Sequence, residues 1–491
     1  MLPTEIYTAE QVRALDRIAI DELGIPGYEL MCRAGEAALA ALESHWPGAG
    51  SVAVFCGAGN NAGDGYVVAR LAREEGLRVR AIAVVSVAEL TGDAARACRD
   101  YQKQGGTLEA FSAESAVAED VIVDGLLGTG LARELEGDLL AAVDLINAAD
   151  RPVLALDIPT GLDADTGLVL GAAVRADVTT TFVGLKRGLF LGVAPDYRGT
   201  LQYSSLAIPD AAYERVTAGI ERLEPSILKD LLPPRPRTAH KGANGSVLLV
   251  GGTPGMAGAI RLAAEAALRA GAGLVRVATH PDSVASVMAG RAEVMCEGLL
   301  EPEGLEPLLA ASDAVVLGPG LGQSAWAQGL WERVLASPLP VILDADGLNL
   351  LAGAPRGRGR WILTPHPGEA ARLLETDTGS VQADRAAAAL SLAKTYQGVV
   401  VLKGAGSLVA AQRDRIGLCD SGNPGMATAG MGDVLAGLLG GLAVQIGDLE
   451  QAARAGVVIH AACGDAAAAA GERGLVAGDL MDHIRSWVNP V

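Results

Sequence analysis

The chain has 491 residues, with 39 Lys+Arg against 58 Asp+Glu and a formal net charge of −19. Single hydrophobic cores stop growing at roughly 250–300 residues, so two or more domains are expected. The acidic balance excludes a general nucleic-acid binder, which needs a basic face, though a glycine loop or helix N-terminus can still hold a small anion. Half of the residues are hydrophobic but only 3% are aromatic, so the core must be built from Ala, Val, Leu and Ile.

The two long charge-free stretches, 44–63 and 314–331, are interrupted by Pro47, Asn60 and Asn61 and by Gly318, Pro319, Gly320 and Gly322. Neither reads as a lipid-compatible helix. The N-terminus lacks a basic region followed by an apolar run. Cys32, Cys56, Cys98, Cys296, Cys419 and Cys463 are scattered with no CxxC. These features predict a reduced, cytoplasmic protein without a disulfide or zinc framework.

In chain order, the β-branched runs Ser51–Cys56, Arg78–Val85, Val121–Asp124 and Val153–Asp157 read as buried parallel strands. Tyr66–Glu75 and Leu135–Ala149 read as crossover helices. A second series follows: Ser246–Val250, Leu274–Ala278, Ala314–Leu317, Val341–Asp344 and Val399–Leu402. Strands alternating with helices predict α/β sheets covered on both faces. Pro225 to Arg237, with Pro233, Pro234 and Pro236, reads as a linker and puts a domain boundary near residue 222, giving domains 1–222 and 223–491. The Ala466–Ala470 run reads as part of a buried helix.

Strand Ser51–Cys56 runs into Gly57-Ala-Gly-Asn60-Asn61-Ala62-Gly63-Asp64-Gly65, after which a helix is expected. Glycines let backbone amides approach a phosphate at a helix start. A Rossmann dehydrogenase would end its second strand in an acid for the ribose, and Ser86-Val87 supplies none. Asp124-Gly-Leu-Leu-Gly128-Thr129-Gly130 and Asp157-Ile-Pro-Thr160-Gly-Leu-Asp163 end two further strands. Ligands of open α/β sheets sit at such carboxyl ends, so Asn61, Asp64, Asp124, Asp157 and Thr160 are expected in one crevice, where their oxygens suit a hard cation. The competing reading is that Asp124 and Asp157 only cap turns.

These three ordered motifs resemble the NAD(P)H-hydrate epimerase domain, over roughly residues 5–215. The resemblance implies that Asn60, Asn61, Ala62, Gly63 and Asp64, with Gly128, Thr129, Gly130, Leu131, Ala132, Arg133 and Glu134, bind the hydrate. It implies that Asp157 contacts the reacting nicotinamide, and that Asn61, Asp124 and Thr160 hold a potassium ion; as a strand-end carboxylate beside the glycine loop, Asp157 is the catalytic acid/base candidate. Phe182-Val-Gly-Leu-Lys186-Arg187 fits too, although Arg187 stands where the family often has Pro.

In the second half, Asn423-Pro-Gly-Met-Ala-Thr-Ala-Gly430-Met-Gly432-Asp433 precedes an apolar run. A GxGD at a helix start places free amides beside a carboxylate. That suits phosphoryl transfer, with the amides holding negative charge and the acid deprotonating a hydroxyl; an ordinary N-cap is the alternative. Gly251-Gly-Thr-Pro-Gly-Met-Ala-Gly258-Ala259, Gly318-Pro-Gly-Leu-Gly322, Asp344-Ala-Asp346 and Lys403-Gly404-Ala405-Gly406-Ser407 end other strands. Lysine is scarce, 6 residues against 33 Arg, so Lys403 stands out as a point charge for phosphate. His366 lies between prolines in a loop. His240 and Lys241 either close the site or solvate the linker.

This half resembles the ribokinase-like superfamily and, within it, the ADP- or ATP-dependent NAD(P)H-hydrate dehydratases, over roughly residues 225–490. The resemblance implies that Ala259, Gly322, His366 and Asp433 contact the hydrated nucleotide, with Asp433 catalytic. It implies that Lys403 to Ser407 and Gly432 bind the adenine nucleotide, with Mg2+ accompanying ADP. The expected architecture is an N-terminal Rossmann-like three-layer sandwich followed by a C-terminal ribokinase-like three-layer α/β domain. The order of the two looks like the bacterial bifunctional repair enzyme, whose second domain uses ADP. Small-molecule substrates, no nucleic acid, no membrane and a homo-oligomeric state are expected. A kinase of a small vitamin-like alcohol fused to a non-catalytic nucleotide-binding module remains the alternative.

Overall fold

The computed structural model describes residues 2–289, 291–412 and 415–490. The chain divides into two compact units, Met1–Ile220 and Glu221–Val491.

The first unit is built on a seven-stranded, all-parallel sheet. Its spatial order is Leu108–Ala110, Arg78–Ala83, Ser51–Cys56, Val121–Gly125, Val153–Leu156, Val178–Phe182, Thr200–Ser204. Parallel strands covered on both faces read as continuous apolar runs, and every residue of Ser51–Cys56 is buried. Val52, Val54 and Cys56 enter one core, which they share with helices Gly27–His45, Asn60–Glu74 and Gly92–Lys103. Ala53 and Phe55 enter the other, beside helix Gly137–Ala148. The chain first moves to one side of strand Ser51–Cys56 and then returns to the other. The switch point therefore lies between this strand and Val121–Gly125, where a doubly wound sheet opens its crevice.

Helix Asn60–Glu74 starts six residues before the expected Tyr66, so Asn60 to Gly65 form its first turns. The reason is packing. A Cβ on Gly63 would come within 2.5 Å of Met31 Cε, and one on Gly65 within 3.1 Å of Cys56 Sγ. These glycines let the helix settle onto its neighbours; they are not the pliant residues of a loop.

The second unit orders its strands Met295–Gly298, Leu274–Thr279, Ser246–Val250, Ala314–Leu317, Val341–Leu343, Trp361–Leu363, Val399–Leu402, Ser407–Ala410, Ile416–Cys419. The first seven are parallel and the last two antiparallel. Helices Ala257–Arg269, Met431–Ile446 and Leu449–Ala467 pack their small apolar residues over one face. A Cβ on Gly437 would sit 1.9 Å from the carbonyl oxygen of Ala263, and one on Gly440 2.4 Å from Val316 Cγ2. A core poor in aromatics is filled here by bringing backbones together.

Two expectations are corrected. The stretch read as a linker begins with helical turns, Pro225–Ile227 and Leu228–Leu231, because Leu228 is drawn into the second core. Helix Leu449–Ala467 continues into a 3-10 turn at Ala468–Ala470, but Ala469 and Ala470 are exposed. Among the described residues no helix is long and apolar enough to cross a membrane, and all six cysteines are free thiols.

Candidate active sites

In the first unit, the carboxyl ends of three adjacent strands bring Asn61, Asp124, Gly128, Asp157 and Thr160 together. A Cβ on Gly128 would lie 3.3 Å from Asp157 Oδ2 and 3.5 Å from Asn61 Oδ1. Asp157 has φ +67, a left-handed backbone that a non-glycine residue rarely holds. Its amide donates to Thr180 O at 2.7 Å. Its Oδ1 accepts from Lys186 Nζ, which also donates to Phe182 O at 2.8 Å and Thr181 Oγ1 at 3.0 Å. Lys186 is buried, so three acceptors lock the ammonium and the ammonium orients Asp157.

Two more carboxylates face this pair. Burial raises Asp64 well above the ordinary carboxylate range, with the charges of Asp157 and Asp16 adding to it. Burial likewise raises Asp16, on helix Ala9–Arg17, to about 6, although the Lys186 charge opposes the shift. The pocket thus holds a lysine-bound carboxylate beside two acids whose charged form burial disfavours.

Asp124 is fully buried. Its Oδ1 accepts from Thr160 Oγ1 at 2.7 Å and Leu126 N at 3.2 Å, and its Oδ2 from Thr160 N at 2.8 Å. It therefore does cap its own turn, and it also ties two strand ends together. The Asn61 side chain is buried with neither Oδ1 nor Nδ2 hydrogen-bonded. Helix Asn60–Glu74 has Gly59 at its N-cap and no capping side chain, which leaves its first amides aimed at the crevice. Thr129 to Glu134 lie at the surface apart from a half-buried Thr129 and Leu131, and Arg13 Nη1 donates to Thr129 O at 3.3 Å. Asp163 is spent on its turn, accepting from Asp165 N, Thr166 N and Thr166 Oγ1.

In the second unit, Gly430, at φ +92, is the N-cap of helix Met431–Ile446, and Asp433 is its third residue. Asp433 is therefore not the cap. Burial raises its carboxyl to about 7, with the Asp344 charge adding and Lys403 opposing. Lys403 Nζ lies 2.8 Å from Asp344 Oδ1 and 3.8 Å from Glu369 Oε2. A Cβ on Gly432 would lie 3.2 Å from that ammonium, so the helix start and Lys403 are in close contact. The charge of Lys403 thus has two carboxylate neighbours, Asp344 and Glu369. Thr364 Oγ1 donates to the same Asp344 oxygen at 2.7 Å.

His366 stands at the N-cap of helix Pro367–Leu373, its Nδ1 accepting from Gly368 N at 3.0 Å, with Nε2 3.6 Å from Glu369 Oε1. Burial and the nearby Lys403 charge lower its pKa, which keeps the ring neutral. Gly322 N donates to Asp346 Oδ2 at 2.8 Å. Thr253 N donates to Gly320 O at 2.7 Å, lacing the loop before Ala259 to the loop before Gly322. Half-buried His460, its pKa lowered to about 4 by desolvation, lies with Nε2 3.0 Å from Met431 O under the Gly430–Asp433 turn. Asp465 accepts from Gly422 N and Asn423 Nδ2, both at 3.0 Å, and so straps the approach to that turn onto helix Leu449–Ala467. His240 accepts from Ala243 N within its own exposed turn, before strand Ser246–Val250 and so at the amino edge of the sheet, away from these groups.

The residues not foreseen are Asp16 and Lys186 in the first unit, and Asp344, Asp346, Glu369, Arg385 and His460 in the second. Lysine scarcity singled out Lys403, and the same scarcity marks Lys186. Asp344 and Asp346 lie inside a strand-end motif without a role and Glu369 follows His366 by three residues, whereas Asp16, Arg385 and His460 carry no local signal.

Residues 27–188 match the family described as YjeF-related protein N-terminus, and residues 247–486 the NAD(P)H-hydrate dehydratase family. The bifunctional NAD(P)H-hydrate repair enzyme of Coxiella burnetii is 48% identical over 488 residues, covering 99% of this chain and 100% of that one. The chain belongs to the bifunctional NAD(P)H-hydrate repair enzymes. A second member of the family, from Escherichia coli K12, is 44% identical across 100% of this chain and 95% of its own length. Among solved structures, a ribokinase-like superfamily protein of Enterococcus faecalis covers 55% of this chain and 95% of its own, at 27% identity and a TM-score of 0.52. A hypothetical protein of Streptococcus mutans covers 54% and 99%, at 30% identity and a TM-score of 0.51. The second unit has the ribokinase-like fold.

Proposed function

We propose that the first unit interconverts the R and S hydrates of NADH and NADPH. The second uses ADP to dehydrate the S hydrate, releasing AMP and phosphate. In such a hydrate, water has added across a ring double bond. Restoring the bond requires loss of a hydroxyl and of a proton from the neighbouring carbon. Hydroxide leaves poorly and phosphate leaves well, which accounts for a kinase-like site in a dehydratase.

Asp433 accepts the proton of the hydrate's hydroxyl as its oxygen attacks the terminal phosphorus of ADP. The amides at the start of helix Met431–Ile446 meet the negative charge on the transferring group. AMP departs, and the phosphoester then breaks at its C–O bond to leave NAD(P)H and phosphate. The observation that carries this reading is the position of Asp433, a half-buried acid on an uncapped helix start beside the Lys403–Asp344 pair. Lys403 to Ser407 and Gly432 take the adenine nucleotide, and Ala259, Gly322 and His366 border the hydrate. A magnesium ion would arrive with the diphosphate, held mainly by the phosphate oxygens and water.

In the first unit Asp157, oriented by Lys186, moves the proton that inversion of the hydrated carbon requires. The amides of Asn60 to Gly63 and the Gly128–Glu134 loop hold the substrate. The buried, unbonded Asn61 Oδ1 with the Asp124 and Thr160 oxygens is a donor set of low charge. It fits potassium better than zinc or magnesium, and the ion would supply a fixed positive charge at the crevice floor. Incubating an R/S hydrate mixture with the protein and ADP, followed by chromatography, tests the whole reading. NAD(P)H should recover from both epimers with free phosphate appearing in step. A stable phosphorylated product would instead identify a kinase.

A further inference from the structure

Arg385 is 3% exposed and lies under the Lys403–Ser407 loop. Its Nη2 donates to three carbonyls of that loop and the strand before it, Leu402 O at 3.4 Å, Lys403 O at 3.3 Å and Gly406 O at 3.2 Å. Nη1 donates to Gln382 Oε1 at 3.1 Å, and Nε is buried without a partner. Among the described residues no carboxylate pairs with it. Burial alone lowers its pKa, to about 10. Gly404, at φ +142, leaves room for the guanidinium, since a Cβ there would lie 2.7 Å from Nη1.

A buried, unpaired cation is costly, and a loop of this size does not need one in order to close. What the guanidinium does is turn carbonyls inward. In a trans peptide the amide points opposite to the preceding carbonyl, so the Gly404 N–H, which follows Lys403 O, is turned away from the guanidinium. The amides of Gly404, Ala405 and Gly406 have no acceptor within the chain among the described residues. Successive outward amides form a concave site for an anion. The charge of Lys403 is spent on Asp344 and Glu369, which leaves Arg385 as the uncompensated positive charge at this loop.

We propose that Arg385 is a positioning residue for the adenine nucleotide: it holds the Lys403–Ser407 loop so that its amides face the phosphates, and its charge biases the loop toward an anion. This rests on reading that loop as the nucleotide site. The test uses the full-length protein, S hydrate and ADP, with Arg385→Met and Arg385→Lys. In both variants the KM for ADP should rise at least about tenfold while kcat and the KM for hydrate change by less than about threefold. Arg385→Lys should recover only part of the affinity, because one ammonium cannot serve three carbonyls in a fixed fork. ADP should also raise the melting temperature of the variants less than that of the wild type. A merely structural arginine would lower kcat with the folded fraction and leave the KM for ADP unchanged; that result in a folded variant overturns the proposal. If Arg385→Met does not fold, Arg385→Lys decides by the same constant. Ala405→Pro, which removes one unpaired amide, tests the loop separately from Arg385. An unchanged KM for ADP in Ala405→Pro as well would show that the loop is not the nucleotide site, whereas a raised value there with normal Arg385 variants would overturn only the role of Arg385.

Discussion

Asp433, the proposed base, owes its surroundings to where its helix starts. Gly430 takes the N-cap position, so the carboxylate is free to face Asp344 and Lys403. Its pKa is about 7 in the fold against an ordinary 3.8, so the folded chain binds this proton more tightly than the unfolded chain does. The resulting stability is complete below about pH 4 and is lost as pH rises through about 7. Asp433→Asn removes that titration. Between about pH 5 and 8 the wild-type melting temperature should therefore fall relative to the variant, and calorimetry at the two ends of the range checks this. Catalysis runs the other way, because a base must be ionised. The kcat/KM for dehydration should climb up to about pH 7 and then level off, read as NADH absorbance from S hydrate and saturating ADP. In Asp433→Asn the rate should drop by at least about 10²-fold at every pH, with calorimetric ADP affinity changed far less. Asp157 is arranged differently: a left-handed backbone and a buried lysine fix its orientation. Asp157→Asn should lower R/S equilibration by about 10²–10⁴-fold without touching dehydration of pure S hydrate, as chromatography of each reaction would show.

At the scale of elements, legibility in the sequence followed burial. Ser51–Cys56, Ser246–Val250, Ala314–Leu317 and Val399–Leu402 occur with the bounds their apolar runs predict, since a strand covered on both faces leaves a continuous signal. Local preference places the start of helix Asn60–Glu74 late because Asn and Gly are weak helix formers, and contacts with Met31 and Cys56 override that preference. Motif residues after strand ends were legible because the fold collects them at one edge. Asp16 and Arg385 were not, since each reaches its site from a helix remote in sequence, where nothing local distinguishes it from a surface charge. The small-residue seam of helix Met431–Ile446 gives an element-scale test. Gly437→Ala would push a methyl into the Ala263 carbonyl and should destabilise the chain by about 1–3 kcal/mol, seen as a lower melting temperature with the pH profile of the remaining activity unchanged.

For the whole molecule, each unit carries its own core and its own crevice. A fragment ending at residue 220 should therefore fold, by circular dichroism, and equilibrate hydrates with no nucleotide present; a folded fragment that epimerises only when the rest of the chain and ADP are added would refute that division. The central claim is that one chain performs two successive reactions at separate sites. It is tested most directly by giving pure R hydrate and ADP to three proteins and following R hydrate, S hydrate and NADH together by chromatography at early times. The wild type should convert R hydrate to NADH, Asp157→Asn should leave R hydrate standing while still consuming added S hydrate, and Asp433→Asn should yield an R/S mixture with almost no NADH. Loss of both reactions in either folded variant would contradict the account.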